Sequence, residues 1–382
     1  MLSGGDAVLT CAVDVGSTFI KASLRRGVDD VLARSALPFP RRTNDFGSLH
    51  ADVRRAVLAT VREVCDRGGS PDVIAMSCQM SGLSILAADD QPVGPLVPGV
   101  KQRSPRGGVP LDLRASGCAD PAISSLAKFL WCEEEFPGIR ARAQRIGGVK
   151  EYLLHALTGR WATDRASASA SGFYDITGKG WSAATLRETN LSEEMLPELV
   201  EMEAVVGGLQ PAAAAACGVP AETPVLCGLG DGPAANISVG AVGDGVMCFS
   251  HGTTLVARVL FGGKVPEVGL PLFVQHVSGS WKCVGVRFTE DRQSGSFVPT
   301  GRSAQRVPQA AIYRWLQPLL EAFAIWQVRP IGGRPVDLPA SWPIRTPASQ
   351  ADDGTRAMAL LANGISLANQ ASDAHAARKG TV

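Results

Sequence analysis

Three stretches near the start of the chain gather apolar residues over strand-like lengths, "TCAVDVGS", "IKASLRR" and "DDVLARSALPF", and short breaks carrying Gly or Asp separate them. That pattern predicts an antiparallel meander. "LHADVRRAVLATVREVCDRG" then sets Val53, Val57, Leu58, Val61 and Val64 at helical spacing and stops at Gly68 and Gly69, after which "PDVIAMSCQMSGL" reads as another strand. Strands, helix, strand is an α/β opening. Helical spacing returns in "ISSLAKFLWCEEEFPGI" and in "VKEYLLHALTG", which Gly159 closes. The serine-rich "ATDRASASASGFYDI" that follows reads as a linker or a surface loop.

The opening device then recurs. In "TPVLCGLGDGPAANISVGAVGDGVMCFSHGTTLVARVLF" a strand breaks at Asp231 between glycines, a small-residue helix follows, and two strands meet at "SHGTT". From about Arg287 the pattern fades, with eight prolines from Pro299 to Pro347, and only "AAIYRWLQPLLEAFAIW" and "TRAMALLANGISLANQ" look helical. The chain therefore divides into a first domain over 8–222, the start of a second over 223–286, and an atypical tail over 287–382 expected to be poorly ordered. Residues beyond Pro299 are expected not to complete the second sheet, because a Pro-rich segment lacks donors for the ladder.

At 382 residues, 45% apolar, with a formal charge of +1, the chain has room for two cores and no electrostatic footprint for nucleic acid. No apolar run approaches the roughly 20 residues that span a bilayer, and "MLSGGDAVLTCAVDVG" lacks a basic region followed by a cleavable apolar segment, so the chain is read as cytoplasmic. Nine scattered cysteines without a Cys-x-x-Cys pair, and five histidines without ligand spacing, argue for reduced thiols and against zinc or redox chemistry. Carboxylates and backbone dipoles remain as the catalytic means.

A carboxylate in a buried strand costs free energy unless it is paired or used, which singles out Asp14 in "DVGST". Gly16 permits a tight turn, Ser17 and Thr18 can donate to an anion, and Asp14 can hold a hydrated divalent cation; a plain hairpin turn is the competing reading. The second set adds Asp231 at a strand end and a turn at Gly252, Thr253 and Thr254. A carboxylate beside a phosphate-binding turn is what phosphoryl transfer to a hydroxyl requires.

From about Thr10 to about Val286 the sequence resembles the FGGY family of carbohydrate kinases, of the actin, hexokinase and Hsp70-like superfamily. The resemblance is carried in order by "AVDVGSTFIKASL", "MSCQMSGLSIL", "KFLWCEEEFPGI", "VKEYLLHALTGRWATDRASASASGFYDI", "GLGDGPAANISVGAV" and "FSHGTT", and "VGLPLFVQH" looks like the gluconokinase branch. It implies two actin-like ATPase domains of ribonuclease H-like α/β fold around a cleft, the second incomplete here. It further implies Asp231 as the catalytic base, Gly16, Ser17, Thr18, Gly252, Thr253 and Thr254 on the phosphates of ATP, and Asp14 on Mg2+ through water. Gln79, Met80, Ser81 and Asp231 would meet the sugar. The implied reaction is ATP-dependent phosphorylation of a hydroxyl on a gluconate-like or ketose substrate, with a small-molecule sugar as partner, no nucleic acid or membrane, and a homodimer left open.

The chain departs from the family at "PLVPGVKQRSPR", which lacks the usual Trp and acid although Arg103 or Arg106 could reach an anionic sugar, and it shows no Gly-rich adenosine motif after "GSWKCVGVRF". Two rival readings follow: a non-catalytic sugar-binding remnant, or an actin-like ATPase switch.

Overall fold

The computed structural model describes residues 7–41, 46–99, 101–109, 114–118, 120–251, 254–291, 294, 296–300, 305–331, 342 and 354–379. Strands β1 (Leu9–Val15), β2 (Phe19–Arg26) and β3 (Asp30–Pro38) form the expected antiparallel meander. Helix α1 (Phe46–Gly68) carries the chain back across the sheet, so that β4 (Val73–Cys78) lies parallel to β1. Alternation along β1 decides what each side chain meets: Cys11, Val13 and Val15 pack with Val53, Val57, Val61 and Val64 of α1, while Ala12 joins a different core on the opposite face. Asp14 is in phase with Ala12.

A long excursion leaves the sheet after β4 and holds α2 (Ser125–Glu135), α3 (Val149–Thr158) and α4 (Arg165–Ser169). Helix α3 ends where the sequence predicts, with Gly159 in the left-handed region at φ 77°. The serine-rich stretch is not a linker. Asp164 caps α4 by accepting from the amides of Ala166 (2.8 Å) and Ser167 (3.1 Å), and it also pairs with the Lys150 ammonium inside the protein. Its small residues allow burial: Ala166, Ala168 and Ser169 are enclosed, and Ser169 Oγ accepts from the His276 amide at 3.0 Å. Strands β5 (Val205–Gly208), β6 (Pro224–Leu226) and β7 (Leu229–Gly230) then return to the first sheet, in the order β5-β6-β4-β1-β2-β3 with β7 also on β4. The first sheet thus runs on beyond residue 222.

Helix α5 (Asp231–Ser238) leads directly from β7 to the second sheet, built from β8 (Val246–His251), β9 (Thr254–Phe261), β10 (Phe273–Ser278), β11 (Trp281–Asp291), β12 (Ser296–Pro299), β13 (Val307–Pro308) and β14 (Gln327–Ile331). Its order, β13-β12-β11-β9-β8-β14, repeats the logic of the first sheet: an antiparallel run and then a parallel strand on the far side of its first member. Helices α6 (Gln309–Trp315) and α7 (Gln317–Ala322) take the place of α1, and Ile312, Leu316 and Leu319 are buried beneath them.

The residues beyond Pro299 therefore do join the second sheet, against expectation. Pro299 and Pro308 end short strands, and Pro330 sits in β14 at the sheet's edge among the described residues, so no central ladder donor is lost. The late helix α8 (Gly354–Ala362), one of the two helical patterns of the tail, packs on β1, β4 and α5. Ala357, Met358 and Leu361 enter one core with Ala12, Leu229, Ala234, Ile237 and Cys283, which joins both sheets. If α8 closes that core, Met358→Ala should cost about 2–5 kcal/mol in denaturant unfolding. A loss below about 0.5 kcal/mol would show that α8 does not close it.

Candidate active site

A cleft of about 210 Å³ opens between the strand ends of the first sheet and one face of the second. Ser17, Gln79, Met80, Ser81, Asp231 and Thr254 all line it. Residues separated by more than 200 positions in sequence thus converge on one concavity. Gly252 and Thr253 lie outside the described residues. Thr18 is exposed and, with Ser17, borders a neighbouring hollow that also holds Arg103. Arg106 is exposed, and its guanidinium reaches Glu135 at 3.4 Å.

The turn after β1 is closed by the Gly16 amide donating to the Phe19 carbonyl at 3.0 Å. Asp14 does not line the cleft described above. Its Oδ1 accepts from Ser77 Oγ at 2.6 Å, the residue opposite it in the parallel register. The first residue of α8 lies against the pair, since a Cβ on Gly354 would overlap Ser77 Oγ and stand 2.6 Å from Asp14 Oδ1. Only glycine allows that approach.

Asp231 opens α5, where the partial positive charge of the helix end favours a carboxylate. Its surface is open to solvent in the cleft, yet protein surrounds it on the other sides, and that loss of water raises its pKa. Arg258 and Arg287 oppose the rise, followed by the amides of Gly232 and Asp231 itself. The flanking glycines serve Met80: a Cβ on Gly230 would overlap Met80 Sδ, and one on Gly232 would lie 3.0 Å from Met80 Cε. Met80 thus locks the end of β4 against the start of α5.

Gln79 is buried and bridges two loops, donating from Nε2 to the Gly16 carbonyl (3.2 Å) and accepting at Oε1 from the Gly99 amide (2.9 Å). Ser81 takes a left-handed backbone at φ 58° and donates from Oγ to the Ala170 carbonyl at 2.9 Å. Behind it the fully buried Lys128 ammonium donates to the carbonyls of Ser81, Gly99 (3.3 Å) and Ile123 (2.9 Å). Burial, with Arg287 adding repulsion, pushes Lys128 down to about 7.

Sequence reasoning missed Lys128, Arg258, Gln275 and Arg287. Each is a polar residue inside an apolar strand or helix, "AKFLW", "LVARVL", "FVQHV" and "VGVRF", which is the same signal that singled out Asp14. Among the described residues no group of three or more His, Cys, Asp and Glu could hold a metal, all nine cysteines are free, and no helix is long and apolar enough to cross a membrane.

This arrangement, two sheets of repeated topology around a cleft, is the actin-like ATPase fold. The ligand-bound xylulose kinase from Lactobacillus acidophilus superposes with a TM-score of 0.79 at 18% identity, covering 95% of this chain and 91% of that one. Residues 114–238 match the N-terminal domain of the FGGY family of carbohydrate kinases. It is 24% identical to the gluconokinase of Bacillus subtilis (strain 168) over 261 residues, 65% of this chain and 51% of that protein. It is 30% identical to the xylulose kinase of Escherichia coli (strain K12) over 161 residues, 42% of this chain and 33% of that protein. The chain spans about half the length of the gluconokinases it matches.

The raised pKa of Asp231 has a consequence for stability. An acid whose pKa rises on folding destabilises the protein above that pKa and costs nothing below its ordinary value, 3.8. Asp231→Asn should therefore raise the unfolding midpoint at pH 7, and the gain should vanish below about pH 4. Thermal melts at both pH values check this; an equal gain at both, or a loss at pH 7, would contradict it.

Proposed function

We propose that the chain is a carbohydrate kinase that transfers the γ-phosphoryl group of ATP to a hydroxyl of a sugar or sugar acid. One observation supports this above others: Asp231, a carboxylate at a helix start, shares a cleft with Ser17 and Thr254, which belong to the turns of two different sheets. In this reading Asp231 accepts the proton of the acceptor hydroxyl. The hydroxyl oxygen bonds to the γ-phosphorus while the bond from phosphorus to the β,γ-bridging oxygen breaks, and ADP leaves with that electron pair. Ser17, Thr18 and Thr254 donate to the phosphates, as the sequence reading also asks of Gly16, Gly252 and Thr253.

Magnesium is commonly held by one or two carboxylates together with phosphate oxygens and water, so a single residue suffices on the protein side. Asp14 fits that part, at the end of β1 beside the phosphate turn, oriented by Ser77. When bound, the metal would neutralise charge on the phosphates. Gln79 and Lys128 act by position, holding the Gly16, Ser81 and Gly99 backbones around the cleft. The residues through β7 would then supply the sugar side and those from Asp231 onward the nucleotide side, in the cytoplasm.

Asp231→Asn should lower kcat by roughly 10²- to 10⁴-fold, since a general base is lost, while leaving the sugar Kd nearly unchanged. Coupled-assay kinetics and calorimetric titration of the sugar check the two halves. A variant that keeps most of its turnover would remove Asp231 from the role of base.

A further inference from the structure

Alternation on the second sheet divides its strands into two faces. Leu255, Ala257 and Val259 of β9, with Val284, Val286 and Phe288 of β11, pack into the sheet's own core. The opposite face carries Arg258 and Arg287 toward the cleft, diagonal neighbours in a register that sets Arg258 beside Gly285 and Val256 beside Arg287. The Arg258 stem crosses Gly285, where a Cβ would stand 3.1 Å from its Cγ. Its head is held by neutral groups: Nε donates to Asn236 Oδ1 at 3.1 Å and Nη2 to Ser250 Oγ at 3.2 Å.

Arg287 makes no hydrogen bond or salt bridge through its side chain to a described residue, although burial disfavours its charge and pulls its pKa down. On the same wall the buried Gln275 Oε1 has no hydrogen-bond partner. Arg258 and Arg287 both act on the Asp231 carboxylate, and the buried Lys128 behind the Ser81 loop adds repulsion with Arg287. A half-buried guanidinium with no hydrogen-bonded anion is left undersatisfied, and an unpaired buried acceptor adds to the cost. Both would be relieved by one ligand that carries an oxyanion and a hydroxyl.

We infer that Arg287, with Arg258 fixed beside it, forms an oxyanion subsite facing Asp231, and that its ligand is the carboxylate of an acidic sugar whose hydroxyl meets Gln275. This rests on the kinase reading for the sugar and not for the anion. The same guanidinium chemistry would take a phosphate, so the test separates the two sources.

The experiment is calorimetric titration of the full chain and of Arg287→Gln with a six-carbon aldonate, the alditol of equal length, inorganic phosphate and ATP. Arg287→Lys serves as the charge-keeping variant, and unfolding midpoints establish that each variant folds. The expected result is a roughly 10- to 100-fold loss of aldonate affinity in Arg287→Gln, partly restored in Arg287→Lys, with the alditol unaffected. Loss confined to inorganic phosphate and ATP would overturn the sugar assignment and give the subsite to the nucleotide. Unchanged binding of all four, with only the acid limb of the pH profile moved, would overturn the subsite and leave Arg287 as a tuner of Asp231. If the wild-type chain phosphorylates no acceptor from a panel of sugars, alditols and aldonates, the kinase reading fails, and the phosphate and aldonate titrations still decide the subsite.

Discussion

The close approach of Met80 to Gly230 and Gly232 is the contact on which the rest of the site depends. The end of β4 and the start of α5 meet there with no room for a Cβ on Gly230 and little on Gly232, so Asp231, between them, is fixed relative to the first sheet. The same junction hands the chain from one sheet to the other. Small residues continue the theme: Ala234 and Ile237 of α5, Ala357 and Met358 of α8, and Ala12 of β1 share one core, so the cleft is hinged on tightly packed helices and a strand. Close packing of this kind resists distortion, which is what positioning of a proton acceptor needs.

Around that hinge the protein buries charge in two different ways. Lys150 and Asp164 neutralise each other and tie α3 to the cap of α4, and Arg25 spends its guanidinium on Ser23 Oγ (2.9 Å), the Val28 carbonyl (2.8 Å) and Thr355 Oγ1 (3.2 Å). Those groups are satisfied within the fold. Along the cleft the balance differs, because Asp231 faces Arg258 and Arg287, and the polar groups there are held in place more completely than they are paired. A buried charge satisfied by the fold reads as architecture, and one held in position without a counterion reads as a site.

Much of this was legible in the sequence because it depends on local pattern. The meander of β1 to β3, helix α1, and the breaks at Gly16 and Asp231 follow from alternation, helical spacing and glycine. The serine-rich stretch and the tail were harder for a physical reason. Helix α4 owes its burial to Asp164 pairing with Lys150 and to β10 lying over it, contacts no local window contains. Strand β14 follows a pair of short helices and carries a proline, so only its parallel pairing with β8 reveals it as a strand. Arg258, Gln275 and Arg287 were visible as polar letters in apolar strands, but their convergence on Asp231 is a property of register.

The central claim is that the chain moves a phosphoryl group onto a sugar at the Asp231 cleft. The most direct measurement incubates the wild-type chain with magnesium and ATP labelled at the γ-phosphate, against a panel of sugars, alditols and aldonates, and follows label into the acceptor. The account predicts labelled sugar phosphate from at least one acceptor, formed in equal amount with ADP. ADP produced with only free labelled phosphate, or no ATP turnover with any acceptor, would contradict it.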